Sequence, residues 1–321
     1  MIVVTGPNGN VGTVLVKQLV ETDLDYRIAA HTPDKISRLY GEHVPRVKFD
    51  FGDSSTWPAT LEGITTLFLL FPLPHPKTAR TWMVPFVEAA TRAGVKHIIY
   101  VSVPGADHLK MVPHHVVENA VRNSGVPYTI LQAAFFSQNL SRDITTHAID
   151  IAINNQLFMP AGKGLTSFID SRDVAEVAVK IMRNPEKHQN KTYLLTGPEQ
   201  LNYYQVSEML SEIAGRKIPY VNPAVPRFVH RMRKRGITWD VWGFMVIVYF
   251  LTRFGKNAPQ SDELAELLGR PPTTLRQYLE DYKAFWDPNS QEIKDMQAGI
   301  GKLITPFMKG FDHGDAGKAS K

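Results

Sequence analysis

The chain has 321 residues, 43% hydrophobic and 21% charged, a balance that excludes a disordered or fibrous protein and suits one large domain or a domain with a smaller companion. It contains no cysteine, so disulfides, thiolate metal sites and cysteine nucleophiles are excluded together, and redox chemistry would need a borrowed cofactor. The formal net charge is +5, but the basic residues are scattered along the chain, which points away from nucleic acid.

From the first residue, apolar runs alternate with helical patterns. "MIVVTG" is followed by "GTVLVKQLVETD", "YRIAAHT", "VKFDF", "TTLFLLFP", "TWMVPFVEAATRAGV", "KHIIYVS", "HVVENAVRNSGV" and "PYTILQA". Continuous apolar strands between amphipathic helices predict a parallel sheet covered on both faces, an α/β fold of the Rossmann-type, doubly wound kind. Its βα turns, near residues 6, 31, 50, 71, 102 and 132, should converge on one crevice at the carboxyl edge. The opening strand lacks the basic and apolar pattern of a leader. The longest apolar run, "VWGFMVIVYFL" (241–251), is about half of what spans a bilayer. The protein is therefore expected to be cytoplasmic and soluble, with no membrane partner.

Residues 1–150 read as the dinucleotide-binding domain, whose sheet also receives segments from 151–200. After residue 140 the rhythm loosens. "FIDSRDVAEVAVKIMRNP" reads as a short strand and a helix capped by Asp or Ser, "KTYLLTG" as a strand, and "NYYQVSEMLSEIAGRKI" as a helix closed by Gly215. Residues 200–285 are expected to form a smaller, mainly helical C-terminal lobe for substrate, and 286–321, polar and rich in Gly and Lys, a loosely held tail.

"VVTGPNGNVG" places Gly6, Gly9 and Gly12 between the first strand and the first helix. Gly6 permits the tight turn, Gly9 lets backbone approach a pyrophosphate, and Gly12 lets helix pack closely on strand. Thr5, Asn8, Asn10 and Val11 complete the phosphate loop, and the helix N-terminus offers N–H groups to the anion. The alternative is a glycine-rich turn without ligand. At the end of the second strand, where an acid commonly meets the ribose of NAD, the sequence reads "AAHTPDK". His31, Thr32 and Lys35 place donors where a 2'-phosphate would lie, with Asp34 as the counterweight, so NADP(H) is preferred and NAD(H) stays open. Asp50 and Phe51 end the third strand and would contact the adenine, or form an ordinary turn.

Taken together, "TGPNGNVG", "HTPDK", "KFDFGD", "GVKHIIYVS", "HHVVENAVRNSGVPYTIL", "FIDSRDVAEVA" and "ELLGRPPTTLRQYLEDYKAF" resemble the NmrA-like branch of the atypical short-chain dehydrogenase/reductase family, from residue 1 to about 285. The resemblance implies a dinucleotide across the sheet edge, with Phe71, Pro72 and Ser102 beside it. It also implies a substrate between nicotinamide and small lobe, against Phe135, Phe136 and Asn139. Pro74, Trp242, Tyr249 and Phe250 are further aromatic or apolar candidates, with core packing as the alternative for the helix at 241–251. Some members of the branch reduce quinones, dyes or iminium compounds; the regulator that names it is similar to a sensor.

The usual short-chain enzyme works with a Tyr-x-x-x-Lys pair, and "VPGADHLKMVPHHVVENAVRNSG" (103–125) holds neither residue at the matching helix. His114 and Glu118 are four apart, one turn along one helical face. An imidazole held by a carboxylate would keep a fixed tautomer and a raised pKa, suited to proton donation. In the related reductases a His-x-x-x-Glu pattern stands here, so the resemblance makes the pair catalytic; the alternative is a helix brace. His115 is expected to pack or face solvent. Adjacent histidines point about 100° apart on a helix, so a metal is not expected. Gln132 stands where relatives often carry Arg.

These readings converge on an oxidoreductase that moves hydride from NADPH to a planar, quinone-like aromatic, enone or iminium, as a monomer or homodimer. The alternative is a non-catalytic NADP(H) sensor. A third possibility makes the basic "RFVHRMRKRG" a surface for an acidic partner, against the ordinary reading of a solvated face.

Overall fold

The computed structural model describes residues 1–72, 75–141 and 146–299; Pro74 and the tail from residue 300 onward lie outside the described residues. The chain divides into two compact units.

The first unit comprises Met1–Phe136, Ile169–Gly197 and Gln260–Pro272. Its elements run β1 (Ile2–Val4), α1 (Asn10–Val20), β2 (Tyr26–Ala30), α2 (Pro33–Tyr40), β3 (Arg46–Lys48), α3 (Trp57–Leu61) and β4 (Thr66–Leu70). They continue with α4 (Pro76–Thr78), α5 (Val84–Arg92), β5 (His97–Ser102), α6 (Pro113–Arg122) and β6 (Tyr128–Ala133). A seventh strand, Lys191–Leu195, pairs with β6 in parallel. Together they form one sheet in the order Lys191–Leu195, β6, β5, β4, β1, β2, β3, with every pairing parallel. This is the doubly wound sheet expected from continuous apolar strands, which must be covered on both faces. Ile2, Val4, Ile28, Phe68, Ile99 and Leu131 face one core with Leu15 and Leu19 of α1; Val3, Leu67, Leu69, Ile98 and Tyr100 face the other with Phe86 of α5 and Val117 of α6. The order reverses between β1 and β4, so the crevice at the carboxyl end opens there.

Two later segments complete this unit. The helix Ser171–Arg183 is capped by Asp170, which accepts from the Arg172 N–H at 2.8 Å. The short helix Glu263–Leu268 buries Leu264 and Leu268 in the same core as α1, so these residues, read from sequence as part of the helical lobe, are built into the sheet unit.

The second unit comprises Ser137–Phe168, Pro198–Pro259 and residues from Thr273 onward. Two short ladders hold it: Leu165–Ile169 pairs antiparallel with Gln200–Asn202, and Leu157–Phe158 pairs parallel with Tyr220–Val221. The helix Tyr203–Ala214 starts in a capping box of Asn202 and Gln205 and ends at Gly215, whose φ of 63° needs the left-handed region. The helix Trp239–Arg253 is apolar all round: Met245 and Tyr249 are buried, whereas Phe244, Ile247 and Phe250 are more than half exposed. Asp150, fully buried, accepts from Arg231 at 2.7 Å and from both terminal nitrogens of Arg235 at 2.8 Å. The sequence places the start of a loose tail at residue 286, but the chain is packed well beyond it. Trp286 is buried and donates to the Leu279 carbonyl at 2.8 Å, and the helix Gln291–Gly299 buries Ile293 and Met296.

Candidate functional site

The glycine turn leaves β1 at the point of sheet reversal. Gly6 has φ +64°, and a Cβ there would meet the Leu70 side chain at the end of β4 at 3.0 Å. A Cβ on Gly12 would lie 2.0 Å from the Gly6 carbonyl oxygen, so α1 packs on the turn at a distance no side chain allows. Gly9 caps α1 in extended backbone and has no side chain to accept from the first-turn N–H groups. Its own Cβ would meet only the Gly6 oxygen, at 3.3 Å, so its other side is open to an incoming group. Bare backbone, a helix N-terminus and open space are what an anion requires.

The flanking residues divide between support and surface. Thr5 is fully buried; its hydroxyl donates to the Phe68 carbonyl at 3.1 Å and accepts from the Leu70 N–H at 3.0 Å, clipping β1 to β4. Val11 is buried in the core, Asn8 is exposed and Asn10 half-buried. At the end of β2, His31, Thr32 and Lys35 are all exposed. The His31 ring stands 3.5 Å from the Asp50 carboxylate and 3.5 Å from the Thr32 hydroxyl. Asp50 is partly exposed and accepts from the Gly52 N–H at 2.8 Å, ordering the turn after β3. Phe51 instead turns inward, stacked edge-on against Phe49 and Phe86 with ring centroids 4.6 and 5.2 Å apart.

On the other side of the reversal, Phe71 and Pro72 follow β4, half-buried and exposed respectively. Ser102 ends β5 with its hydroxyl buried and without a hydrogen-bond partner among the described residues. A buried hydroxyl left unpaired at a sheet edge is costly unless something else fills it. Phe135 and Phe136 follow β6, both half-buried, Phe136 against the core of the first unit; Asn139 lies in the turn Ser137–Leu140 of the second unit, half-buried.

In α6, Pro113 stands in the first turn and presets the helix, and His114, Val117, Glu118 and Val121 form its inward face. His114 and Glu118 do share that face, but they do not pair with each other. The His114 Nδ1 is 2.7 Å from the Tyr100 hydroxyl, and its ring meets Phe71 edge-on at 5.1 Å. Glu118, 1% exposed, accepts from Gln132 at 3.0 Å and from Arg122 at 3.2 Å. Arg122 also donates to Thr192 at 2.8 Å, and Gln132 to Asp107 at 3.3 Å. Gln132, on the neighbouring strand, lies closer to the Glu118 carboxylate than the helical neighbour does. Burial pushes His114 down to about 3, opposite to the rise expected from sequence. His115 accepts from Asn119 and donates to the Ala106 carbonyl at 2.7 Å, bracing the loop before α6. No group of three or more His, Asp or Glu side chains is arranged for a metal among the described residues.

Tyr100 is a neighbour of His114 that helical spacing could not indicate. A signal existed: in "HIIYVS", Tyr100 and Ser102 are two apart in one strand and so share a face.

The family model described as the NmrA-like family matches residues 1–238. The chain belongs to the NmrA-like family. This NmrA-like protein is 31% identical to the NAD(P)H azoreductase of Xenophilus azovorans over 289 residues, covering 88% of this chain and 98% of the relative. It is 28% identical to prestalk A differentiation protein A of Dictyostelium discoideum over 283 residues, 87% of this chain and 91% of that one. Among solved structures, the Citrobacter sp. triphenylmethane reductase complexed with NADP(H) is similar with a TM-score of 0.77 at 22% identity, over 87% of this chain and 99% of that chain. At that identity the likeness speaks for the fold.

Proposed function

We propose that this NmrA-like protein is an NADPH-dependent reductase acting on a planar electrophile of the quinone, enone or iminium kind, with NADH as a weaker donor. The observation that carries the reading is the side-chain-free glycine turn at the sheet reversal, with the Ser102 hydroxyl, unpaired among the described residues, and the His114 ring along the same strand ends. The azoreductase relative and the structural likeness to a dye reductase holding NADP(H) support it.

The residues fit a dinucleotide. Gly6, Gly9 and Gly12, with Asn8, Asn10 and Val11, would receive the pyrophosphate on backbone N–H groups. His31, Thr32 and Lys35 would meet a 2'-phosphate, and Asp50 the adenosine end. Thr5 serves by fixing the turn to β4. Ser102 would bind the nicotinamide ribose, with Phe71 and Pro72 alongside. When bound, the reduced nicotinamide supplies the hydride. The protein's part is to orient a flat substrate, exclude water and place His114 and Phe71 against it, with Phe135 and Phe136 as further substrate contacts. Glu118, tied to Gln132 and Arg122, would hold α6 on the sheet.

The test is NADPH consumption, with NADH alongside, against quinones, an azo dye, a triphenylmethane dye and a cyclic iminium salt. Turnover preferring NADPH supports the reading; binding of NADPH without turnover on any acceptor overturns it. One observation favours a second reading, a non-catalytic NADP(H) sensor: at about 3, His114 carries no spare proton at neutral pH, and α6 has no Tyr-x-x-x-Lys pair. Equal affinity for NADPH and NADP⁺ with no turnover is its signature.

A further inference from the structure

The Tyr100–His114 contact has a direction. Tyr100 is fully buried, and its hydroxyl has no other hydrogen-bond partner among the described residues. If Nδ1 carried the proton, it would donate to the phenol oxygen and leave the phenol hydrogen buried without an acceptor. That arrangement costs about 1–3 kcal/mol. With the phenol as donor, both groups are satisfied. Burial and the negative charge of Glu118 push the Tyr100 hydroxyl well above its ordinary range, so it keeps its proton and stays a donor. The single proton of the neutral imidazole then sits on Nε2. That nitrogen has no partner among the described residues and is not one of the buried side-chain atoms stranded without one, so it is not sealed off.

We propose that Tyr100 is a positioning residue that locks His114 as the neutral Nε2–H tautomer, so that the site presents a hydrogen-bond donor and selects substrates with a lone-pair acceptor, such as a quinone or enone carbonyl, over iminium cations. The selection rests on the reductase reading; the tautomer does not. In carbonyl reduction, negative charge develops on the oxygen as hydride adds, and an N–H aimed at it strengthens its hydrogen bond there. Two electrons and one hydrogen nucleus arrive with the hydride. The proton that completes the hydroxyl is taken up from bulk water as the product anion leaves the site, and His114 ends with the proton it began with. An iminium carbon needs neither, because hydride addition yields a neutral amine with no oxyanion to stabilise.

Two measurements separate the parts. Long-range ¹H–¹⁵N correlation spectra of the labelled full chain report the His114 tautomer directly. A single Nε2–H form from about pH 5 to 8 is expected in the wild type, with a mixture in Tyr100→Phe. An Nδ1–H form, or an imidazolium at pH 6, overturns the proposal. NADPH consumption is then compared between 1,4-benzoquinone and a cyclic iminium salt. Tyr100→Phe should lower the quinone-to-iminium ratio of kcat/KM tenfold or more, and His114→Gln, which restores a side-chain N–H donor, should recover part of the quinone turnover that His114→Ala loses. Equal losses on both substrates overturn the selection. Wild-type protein that turns over neither substrate removes the reductase reading and the selection with it, while the spectra still decide the role of Tyr100.

Discussion

Gly9 and Gly12 belong to the same motif yet should fail in different ways when given a methyl group. On Gly12 the added carbon meets three backbone atoms, the Gly6 oxygen at 2.0 Å, the Gly6 carbonyl carbon at 2.8 Å and the Pro7 Cα at 3.0 Å, and none is a side chain that can swing aside. Relief requires α1 to move off the turn by more than 1 Å, judged against a contact limit of about 3.2 Å. Overpacking of this kind costs about 1–3 kcal/mol and the clash lies at the upper end; alanine's better helix propensity returns about 1 kcal/mol, so Gly12→Ala should lose about 2 kcal/mol. Gly9→Ala meets one atom at 3.3 Å, in an extended backbone that any residue adopts, and should lose under about 1 kcal/mol as a poorer cap. The Gly9 methyl nevertheless occupies the space proposed for the pyrophosphate, so NADPH affinity should fall at least tenfold, about 1.4 kcal/mol. Urea denaturation gives the stabilities and quenching of NADPH fluorescence gives the affinities. A Gly9→Ala protein that is stable and binds NADPH as the wild type does would refute the phosphate assignment.

Three further outcomes follow from the structure. His114 and His147 are held down to about 3 and about 4, chiefly by burial, below an ordinary value of 6.5. Protons are therefore taken up by the unfolded chain first as pH falls, and the stability these groups confer, complete above pH 6.5, should decline by about 2 kcal/mol each by pH 5; a urea midpoint that is flat between pH 7 and 5 contradicts this. Asp150→Asn leaves Arg231 and Arg235 without their buried partner and should cost about 3–5 kcal/mol, seen as a lower thermal transition, whereas a loss under about 1 kcal/mol would show that the cluster relaxes. His31→Asp places a carboxylate at the end of β2 and should shift the NADPH-to-NADH preference toward NADH by tenfold or more, measured as kcat/KM; an unchanged ratio would remove His31 from the 2'-phosphate site.

The sheet and the glycine turn were legible in the sequence because their signals are local. Continuous apolar strands at regular spacing dictate a parallel sheet, and three glycines between the first strand and helix dictate a close backbone approach. The candidate site was legible only to the level of which residues line the strand ends. His114 and Glu118 are correctly one turn apart on one face, but helical spacing says nothing of what stands opposite that face. Gln132 and Tyr100 come from neighbouring strands 14 residues away from Glu118 and His114 respectively, and they take the two partners that spacing had assigned to each other.

What the sequence by itself determined is the order of strands and helices, the bare glycine turn and the exposed polar residues after β2, all set by periodicity and by residues within a few positions of one another. What only the tertiary structure decided is which polar groups lose water and which partner replaces it. That choice buried His114 beside Tyr100, which lowers its pKa instead of raising it, and drew Phe51 into the core. It also made Thr5 a clip between strands and carried Glu263–Leu268 into the sheet unit, because burial and pairing depend on chain segments distant in sequence.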